Sequence, residues 1–151
     1  SITIVELCKA AGVSRMAFYR NYNVKEEVFS RKLDELVKQY WDTTAALVER
    51  GDLWYDLGHL TAFFEIMYEN RKLVDSLFRC GFTWLLIQAI AGFLLDTWGN
   101  ETPEATYLLT GFAGFLCSCY EPWAEGGFKE EPRQMALLVN HFYRIPSERR
   151  K

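Results

Sequence analysis

The chain has 151 residues, of which 50% are hydrophobic and 16% aromatic, so it can form a sizeable core. Its longest apolar stretch, residues 80–95, is shorter than the roughly 20 residues of a transmembrane helix and includes Gln88. We therefore predict a buried helix there and no membrane partner. The net charge of −3 divides into +3 for residues 1–25 and −6 for the remainder. This asymmetry favours nucleic-acid binding at the N-terminal segment and disfavours it elsewhere.

The cysteines and histidines form no motif that indicates a metal site or a redox pair. The four cysteines include no Cys-x-x-Cys pair, and neither histidine has a neighbouring ligand pattern. This usage is typical of buried, reduced thiols in a cytoplasmic protein. No nucleophile–base pair, Gly-rich phosphate loop or convincing carboxylate pair suggests catalysis. We expect no metal, no cofactor and no enzymatic activity.

The first 20 residues have the pattern of two short helices joined by a tight turn. Thr3 and Glu6 form a capping box that starts a helix at about residue 4. Gly12 supplies the permissive backbone that ends this helix, and Ser14 caps a second helix that continues through Arg20. A helix, a short glycine-containing turn and a second helix form a helix-turn-helix.

The outer surface of the second helix has side chains suited to DNA. Ser14, Met16 and Ala17 are small or slender enough for close approach to the groove floor. The guanidinium of Arg15 can donate a forked pair of hydrogen bonds to guanine, and the hydroxyl of Tyr19 suits a phosphate. Lys25 follows Asn23, which we predict to cap the next helix, where free N–H groups also favour a phosphate.

The first 36 residues resemble the TetR family of bacterial transcriptional regulators in residue type and spacing. The matching residues are Ile2-Thr3, Ala10-Ala11-Gly12-Val13-Ser14, Phe18-Tyr19-Arg20, Tyr22, and Lys25-Glu26-Glu27-Val28-Phe29. Family members often have His at the position of Asn21 and Phe at that of Tyr22. The resemblance implies a further helix ahead of Thr3, so we expect the sequence to be part of a longer protein.

The resemblance also implies the residues that contact DNA and the way in which the protein works. Thr3 and the 14–20 helix would face the DNA, and Tyr19, Asn21 and Lys25 would contact phosphates. Members of the family pair their last two long helices into a dimer, bind a palindromic operator and release it when a small effector binds the helical body. They are more often repressors than activators.

The remaining sequence predicts an all-α body. Helices are expected at about 24–48, 53–69, 71–79, 83–98, 103–121 and 132–144, with Pro122 acting as a stop. No strand-like alternation competes with this pattern. We predict a helix-turn-helix DNA-binding domain in residues 1–45 and a ligand-binding and dimerisation domain in residues 46–151. The long 24–48 helix would belong to both and transmit movement between them.

Two groups of residues in the body are candidates for binding other molecules. Aromatic residues with a few polar neighbours are typical of a small-molecule pocket, although ordinary core packing is an alternative for each of them. The pocket candidates are Trp54, His59, Phe63, Met67, Phe82, Trp84 and Gln88. The last two helices have apolar faces larger than one chain can cover, which indicates a homodimer, with a buried pair of core helices as the alternative. The interface candidates are Tyr107, Gly111, Phe112, Phe115, Leu138 and Phe142.

The sequence therefore favours a dimeric regulator of transcription, with an apolar or aromatic effector and double-stranded DNA as its partners. The alternative is a helical ligand-binding or protein-interaction module that no longer reads DNA. The retention of Arg15, Tyr19, Arg20 and Lys25 argues against this alternative, because these side chains suit a DNA-facing surface.

Overall fold

A computed structural model of the chain describes residues 9, 12 and 14–144, without the side chains of Phe18 and Tyr22. This part of the chain forms six helices and contains no strand, so the all-α prediction is confirmed for it. The helices are α1 (Arg15–Arg50), α2 (Leu57–Glu69), α3 (Arg71–Arg79), α4 (Thr83–Trp98), α5 (Pro103–Glu125) and α6 (Pro132–Arg144). None of these helices is long and apolar enough to cross a membrane. The helix predicted to start near residue 4, including Thr3, lies outside the described residues.

The start of α1 follows the predicted local chemistry. Gly12 adopts a left-handed φ of +64°, and its N–H donates to the carbonyl of Lys9 over 3.3 Å. Ser14 has extended backbone geometry, and its Oγ accepts a hydrogen bond of 3.1 Å from the N–H of Ala17. Gly51, with φ of +92°, ends the helix by donating to the carbonyls of Leu47 and Val48. The predicted cap at Ser14 and the predicted turn at Gly12 are both present.

The predicted break between the 14–20 helix and the next helix is wrong, because α1 is continuous over 36 residues. Asn23 therefore lies inside a helix and caps nothing. The physical reason is that residues 15–50 contain neither glycine nor proline, so nothing forces the backbone out of the helix. Ion pairs one turn apart, Arg31 with Glu27 and Lys38 with Asp42, add local support. The helix also crosses the predicted domain boundary at position 45.

The core lies between the second half of α1 and the helices α2, α4 and α5. Helix α1 packs against α2 and α4, while α2 packs against α6 and α4 against α5. The short α3 contacts both α2 and α4. Phe64, Val74 and Leu77 are completely buried, and Leu60, Phe82, Leu109 and Tyr120 are nearly so. The hydrophobic effect over these contacts supplies the main stabilisation of the fold.

The boundaries of the later helices agree closely with the sequence prediction at three helices and differ at two. The bounds 71–79, 83–98 and 132–144 are confirmed. Helix α2 begins at Leu57 rather than 53, because the carboxylate of Asp56 accepts the N–H of Leu53 over 2.9 Å and closes a turn. Helix α5 continues through Pro122 to residue 125. Its last turn is held by the buried Trp123, whose Nε1 donates to the carbonyl of Glu130 over 2.9 Å.

Candidate functional site

A cavity of about 60 Å³ lies at the junction of α1, α2, α4 and α5. Its wall on α1 is formed by Leu33, Leu36, Val37 and Tyr40, whose spacing places them on one face of the helix. The rest of its lining is Trp54, His59, Leu60, Phe63, Ile66, Met67, Leu86, Ala89, Ile90, Phe93, Leu94, Phe112 and Leu116. Among the described residues, no aspartate, glutamate, lysine or arginine contributes to this lining. The cavity is therefore apolar apart from the polar atoms of Tyr40, Trp54 and His59.

Two of these polar residues, Tyr40 and His59, are hydrogen-bonded to each other. The Tyr40 hydroxyl lies 3.2 Å from the His59 carbonyl and 3.1 Å from His59 Nδ1. A carbonyl can only accept, so the single hydroxyl proton of Tyr40 goes to it, and Nδ1 then donates its own proton to the Tyr40 oxygen. This arrangement leaves His59 Nε2 as a hydrogen-bond acceptor.

Burial keeps Tyr40 and His59 uncharged. Burial raises the pKa of the Tyr40 phenol well above its usual range. Burial also lowers the pKa of the His59 imidazole, and the nearby carboxylates of Asp52 and Asp56 oppose this effect only in part. A neutral imidazole with its proton on Nδ1 follows from these two effects and from the hydrogen bonds.

Two polar atoms of the cavity wall lack a partner within the described part of the chain. Trp54 Nε1 and His59 Nε2 are both inaccessible to solvent, and neither has a hydrogen-bond partner there. Buried polar atoms without partners are rare in proteins and cost about 1–3 kcal/mol each. One is a donor and the other an acceptor, and both residues line the same cavity.

The predicted pocket residues divide into two groups. Trp54, His59, Phe63 and Met67 line the cavity, and the structure thus brings them together. The ring of Phe82 is buried elsewhere in the core, against Phe29 at a centroid distance of 5.4 Å. Trp84 and Gln88 are exposed. They are one helical turn apart on the face of α4 opposite the cavity, so placing them in the pocket was an error of helix phase.

The sequence prediction did not include the α1 wall of the cavity. The positions 33, 36, 37 and 40 have the spacing of an apolar helix face, and this signal was available. By itself this spacing predicts the packing of a long helix and does not distinguish it from the wall of a cavity. Sequence periodicity shows which face is inward, but it does not show where the facing helices leave a space.

The predicted DNA-facing residues lie on the first turns of α1. Ser14, Arg15, Met16, Tyr19, Asn21 and Lys25 are exposed, and Ala17 is partly exposed. Met16 is 75% exposed. Among the described side chains of residues 15–32, none is buried. The described side chains from Arg15 to Lys25 are therefore largely exposed, and they include basic, polar and slender ones.

The predicted interface residues form an exposed apolar face on α5 and α6, with one exception. Tyr107 is 77%, Leu138 62% and Phe142 51% exposed. The rings of Phe115 and Phe142 stack with centroids 6.2 Å apart, which joins the two helices into one surface. Phe112 instead lies in the core and lines the cavity, because its position on α5 faces inward.

Gly111 is exposed on the same apolar face of α5. A Cβ atom added at this position would meet nothing within 4 Å, and the same is true of Gly114. No contact within the described part of the chain therefore requires a glycine at either position. Glycine inside a helix is less favourable than alanine by about 0.5–1 kcal/mol, so a contact outside the single chain offers a reason for it.

No other cluster in the described residues suggests a different chemistry. Among them, no group of three or more histidine, cysteine or acidic side chains has the arrangement of a metal site. The thiol of Cys117 is buried, and burial raises its pKa to about 12, whereas Cys80 is exposed. No protein-family model matches the chain, and neither a curated protein nor a solved structure is significantly similar to it.

Proposed function

We propose that this protein is a dimeric DNA-binding transcriptional regulator, acting as a repressor, whose operator binding responds to a small apolar effector in the cavity. The observation that carries the proposal concerns α1. Its first turns carry the residues that resemble a DNA-recognition helix, and four of its later residues line the cavity. One continuous helix thus links the two places at which a regulator must bind its partners.

The DNA-binding part of the proposal is supported by side-chain chemistry and exposure. Arg15 is exposed next to the N-terminus of α1, where its forked guanidinium can reach a guanine edge. Lys25 and Tyr19, both exposed, suit phosphate contacts, which position a protein on DNA without reading its sequence. The charge of +3 in residues 1–25 attracts the phosphate backbone to this end of the chain.

The dimer is supported by the exposed apolar face on α5 and α6. An apolar surface formed by several large side chains costs free energy in water unless a partner covers it. Pairing with a second copy across a two-fold axis covers the same face on both chains at once. It also provides two DNA-binding ends, which a palindromic operator requires.

Control by an effector is supported by the position of the cavity wall on α1. A ligand that enlarges the cavity displaces Leu36, Val37 or Tyr40 and therefore tilts α1. Arg15 lies 25 residues before Tyr40, which at 1.5 Å per residue is about 38 Å along the helix. At that distance a tilt of a few degrees moves the DNA-facing end by about 2 Å or more.

A second candidate function is favoured by the continuity of α1. A recognition helix that ends near residue 20 is absent, so a helical ligand-binding module without DNA-reading function is also consistent with the geometry. In that case the cavity and the dimer face keep their roles, and the first turns of α1 bind another protein or nothing. The two functions differ in whether the chain selects a DNA sequence.

The test is a selection from a library of random DNA duplexes with the intact protein, followed by sequencing of the bound fraction. The regulator is expected to enrich one palindromic site, with half-sites one helical turn or a multiple of it apart. Binding to the enriched duplex should weaken steeply as salt increases, because phosphate contacts release counterions. Enrichment of no sequence after repeated rounds contradicts the regulator and favours the ligand-binding module.

A further inference from the structure

We propose that the cavity binds a neutral, largely apolar molecule that carries a hydroxyl group, which donates to His59 Nε2 and accepts from Trp54 Nε1. This inference rests on the proposed function only in naming the ligand as the effector. The site itself is defined by the two unpartnered buried atoms and by the apolar wall around them.

The lining determines the apolar character of the ligand. Apart from Tyr40, Trp54 and His59, the cavity is lined by aliphatic side chains, methionine and phenylalanine. A charged ligand would lose its hydration and find no counter-charge among these residues, which is prohibitively costly. An uncharged hydrocarbon framework instead gains the full benefit of leaving water.

The hydrogen-bond chemistry determines the polar group of the ligand. Trp54 Nε1 can only donate, and His59 Nε2 can only accept because Nδ1 of the same ring holds the proton shared with Tyr40. The matching group must therefore both donate and accept. A carbonyl or ether accepts only and would leave His59 unpaired. Among the neutral groups of a small organic ligand, a hydroxyl is the simplest one that can both donate and accept.

The volume of the cavity determines the size of the ligand. The space of about 60 Å³ exceeds what a single water molecule needs, but it is well below the 300–1,000 Å³ of pockets that take drug-sized ligands. A compact alcohol fits this space, whereas a single-ring phenol is larger and must displace part of the lining to enter. Phenol and toluene are suitable probes because they have nearly the same shape and differ in the hydroxyl group.

The experiment measures the binding of phenol and of toluene to the intact protein by ¹H–¹⁵N NMR, without DNA. Phenol is expected to bind at least about tenfold more tightly than toluene and to shift the indole N–H signal of Trp54 downfield. Equal affinity for the two probes, tighter binding of toluene, or no saturation by phenol up to about 10 mM overturns the proposal.

Two matched substitutions test whether the hydroxyl group of phenol binds next to Trp54. Trp54→Phe keeps an aromatic ring but removes the donor, and it should reduce the preference for phenol to below about threefold. Trp84→Phe makes the same chemical change at an exposed position outside the cavity and should leave the preference unchanged. A preference that survives Trp54→Phe contradicts the assignment. If Trp54→Phe does not fold, the ratio measured on the unmodified protein decides alone.

The design separates this inference from the proposed function. Binding of phenol with the expected preference, in a protein that selects no DNA sequence, supports the ligand site and contradicts the regulator. Selective DNA binding in a protein that does not discriminate phenol from toluene supports the regulator and contradicts the ligand site.

Discussion

The two halves of α1 share one continuous backbone but have different surroundings. In residues 15–32 no described side chain is fully buried, although Phe29, near the end of this half, packs against Phe82 of the core. In residues 33–50, Leu33, Leu36 and Thr44 are buried, and the helix packs against α2 and α4. The second half is stabilised by burial, whereas the first half depends on the Ser14 cap, on local ion pairs and on its continuity with the second.

This difference indicates where the function of the helix must be sought. Packing within the described chain explains why residues 33, 36, 37 and 40 are apolar. It does not account for the exposed cationic residues Arg15 and Lys25 near the exposed Met16. The proposed function attributes these side chains to DNA binding.

The largest expected effect is a difference in the free energy of unfolding between substitutions in the two halves of α1. Leu33→Ala should lower the free energy of unfolding by about 2–5 kcal/mol, because it removes a nearly completely buried side chain. Val28→Ala, at a position that is 50% exposed in the first half of the same helix, should change it by less than about 0.5 kcal/mol. Urea denaturation measures both. A comparable loss at Val28 would show that the first half is also packed.

Much of the fold, including several helix caps and bounds, could be predicted from the sequence. The Ser14 cap, the Gly12 turn and the bounds of α3, α4 and α6 follow from local signals that the fold respects. The break near residue 21 was wrong because it depended on Asn23 as a helix cap, whereas residues 15–50 contain neither glycine nor proline to end a helix. Pro122 did not end α5 because the burial of Trp123 outweighs the lost backbone hydrogen bond.

The cavity could be predicted only in part. Trp54, His59, Phe63 and Met67 were correctly placed along its wall, since large aromatic and sulfur-containing residues cluster around such spaces. The two unpartnered atoms could not be predicted, because a hydrogen-bond deficit depends on the exact arrangement of several helices. The α1 wall of the cavity could not be predicted, because the same apolar spacing is found on a helix face that is packed and on one that lines a void.

The next prediction concerns the apolar face on α5 and α6. Its exposed side chains are large and hydrophobic, whereas those at the start of α1 include basic and polar ones. Leu138→Glu should weaken the dimer by about 100-fold, because it buries an unpaired carboxylate at the interface. Leu137→Glu is the matched control, since the preceding residue points about 100° around the same helix. Analytical ultracentrifugation gives both dissociation constants. A monomeric unmodified protein, or equal effects of the two substitutions, contradicts this interface.

A smaller effect tests the same face by comparing glycine-to-alanine substitutions at two sites. One substitution is expected to stabilise the protein and the other to weaken the dimer. Gly92→Ala on α4 should raise the free energy of unfolding by about 0.5–1 kcal/mol, because the added Cβ meets nothing and alanine favours the helix. Gly111→Ala has equally open surroundings in the single chain but should weaken the dimer if a second α5 approaches closely there. Thermal unfolding at two protein concentrations separates the change in the stability of the single chain from the change in the stability of the dimer. An equal gain at both sites would count against close approach at Gly111.

The smallest expected effect tests the neutral state of His59 beside the second half of α1. Burial lowers the pKa of this imidazole relative to the unfolded chain, whose value is about 6.5. The unfolded chain therefore binds more protons as the pH falls through this value, and the free energy of unfolding decreases with it. The charged groups that act on His59 are Asp52, Asp56 and Arg50, while Tyr40 stays neutral.

The measurement compares the free energy of unfolding at pH 7.5 with that at pH 5.5. His59→Gln should reduce the difference between the two pH values, whatever its effect on stability itself. His141→Gln, at the exposed second histidine of the chain, should leave the difference as it is in the unmodified protein. An unchanged difference in His59→Gln would mean that the imidazole is not held neutral by burial.

The most direct test of the central claim is the affinity of the first half of α1 for DNA, measured by fluorescence anisotropy on the selected duplex and on a scrambled one. We expect Arg15→Ala to weaken binding to the selected duplex about 5- to 150-fold, with little effect on the scrambled one. Lys25→Ala should weaken binding to both duplexes alike, and Lys72→Ala, an equal charge change on α3, should affect neither. Equal losses on both duplexes for Arg15→Ala, or no effect of either α1 substitution, would contradict the claim that this half of the helix reads DNA.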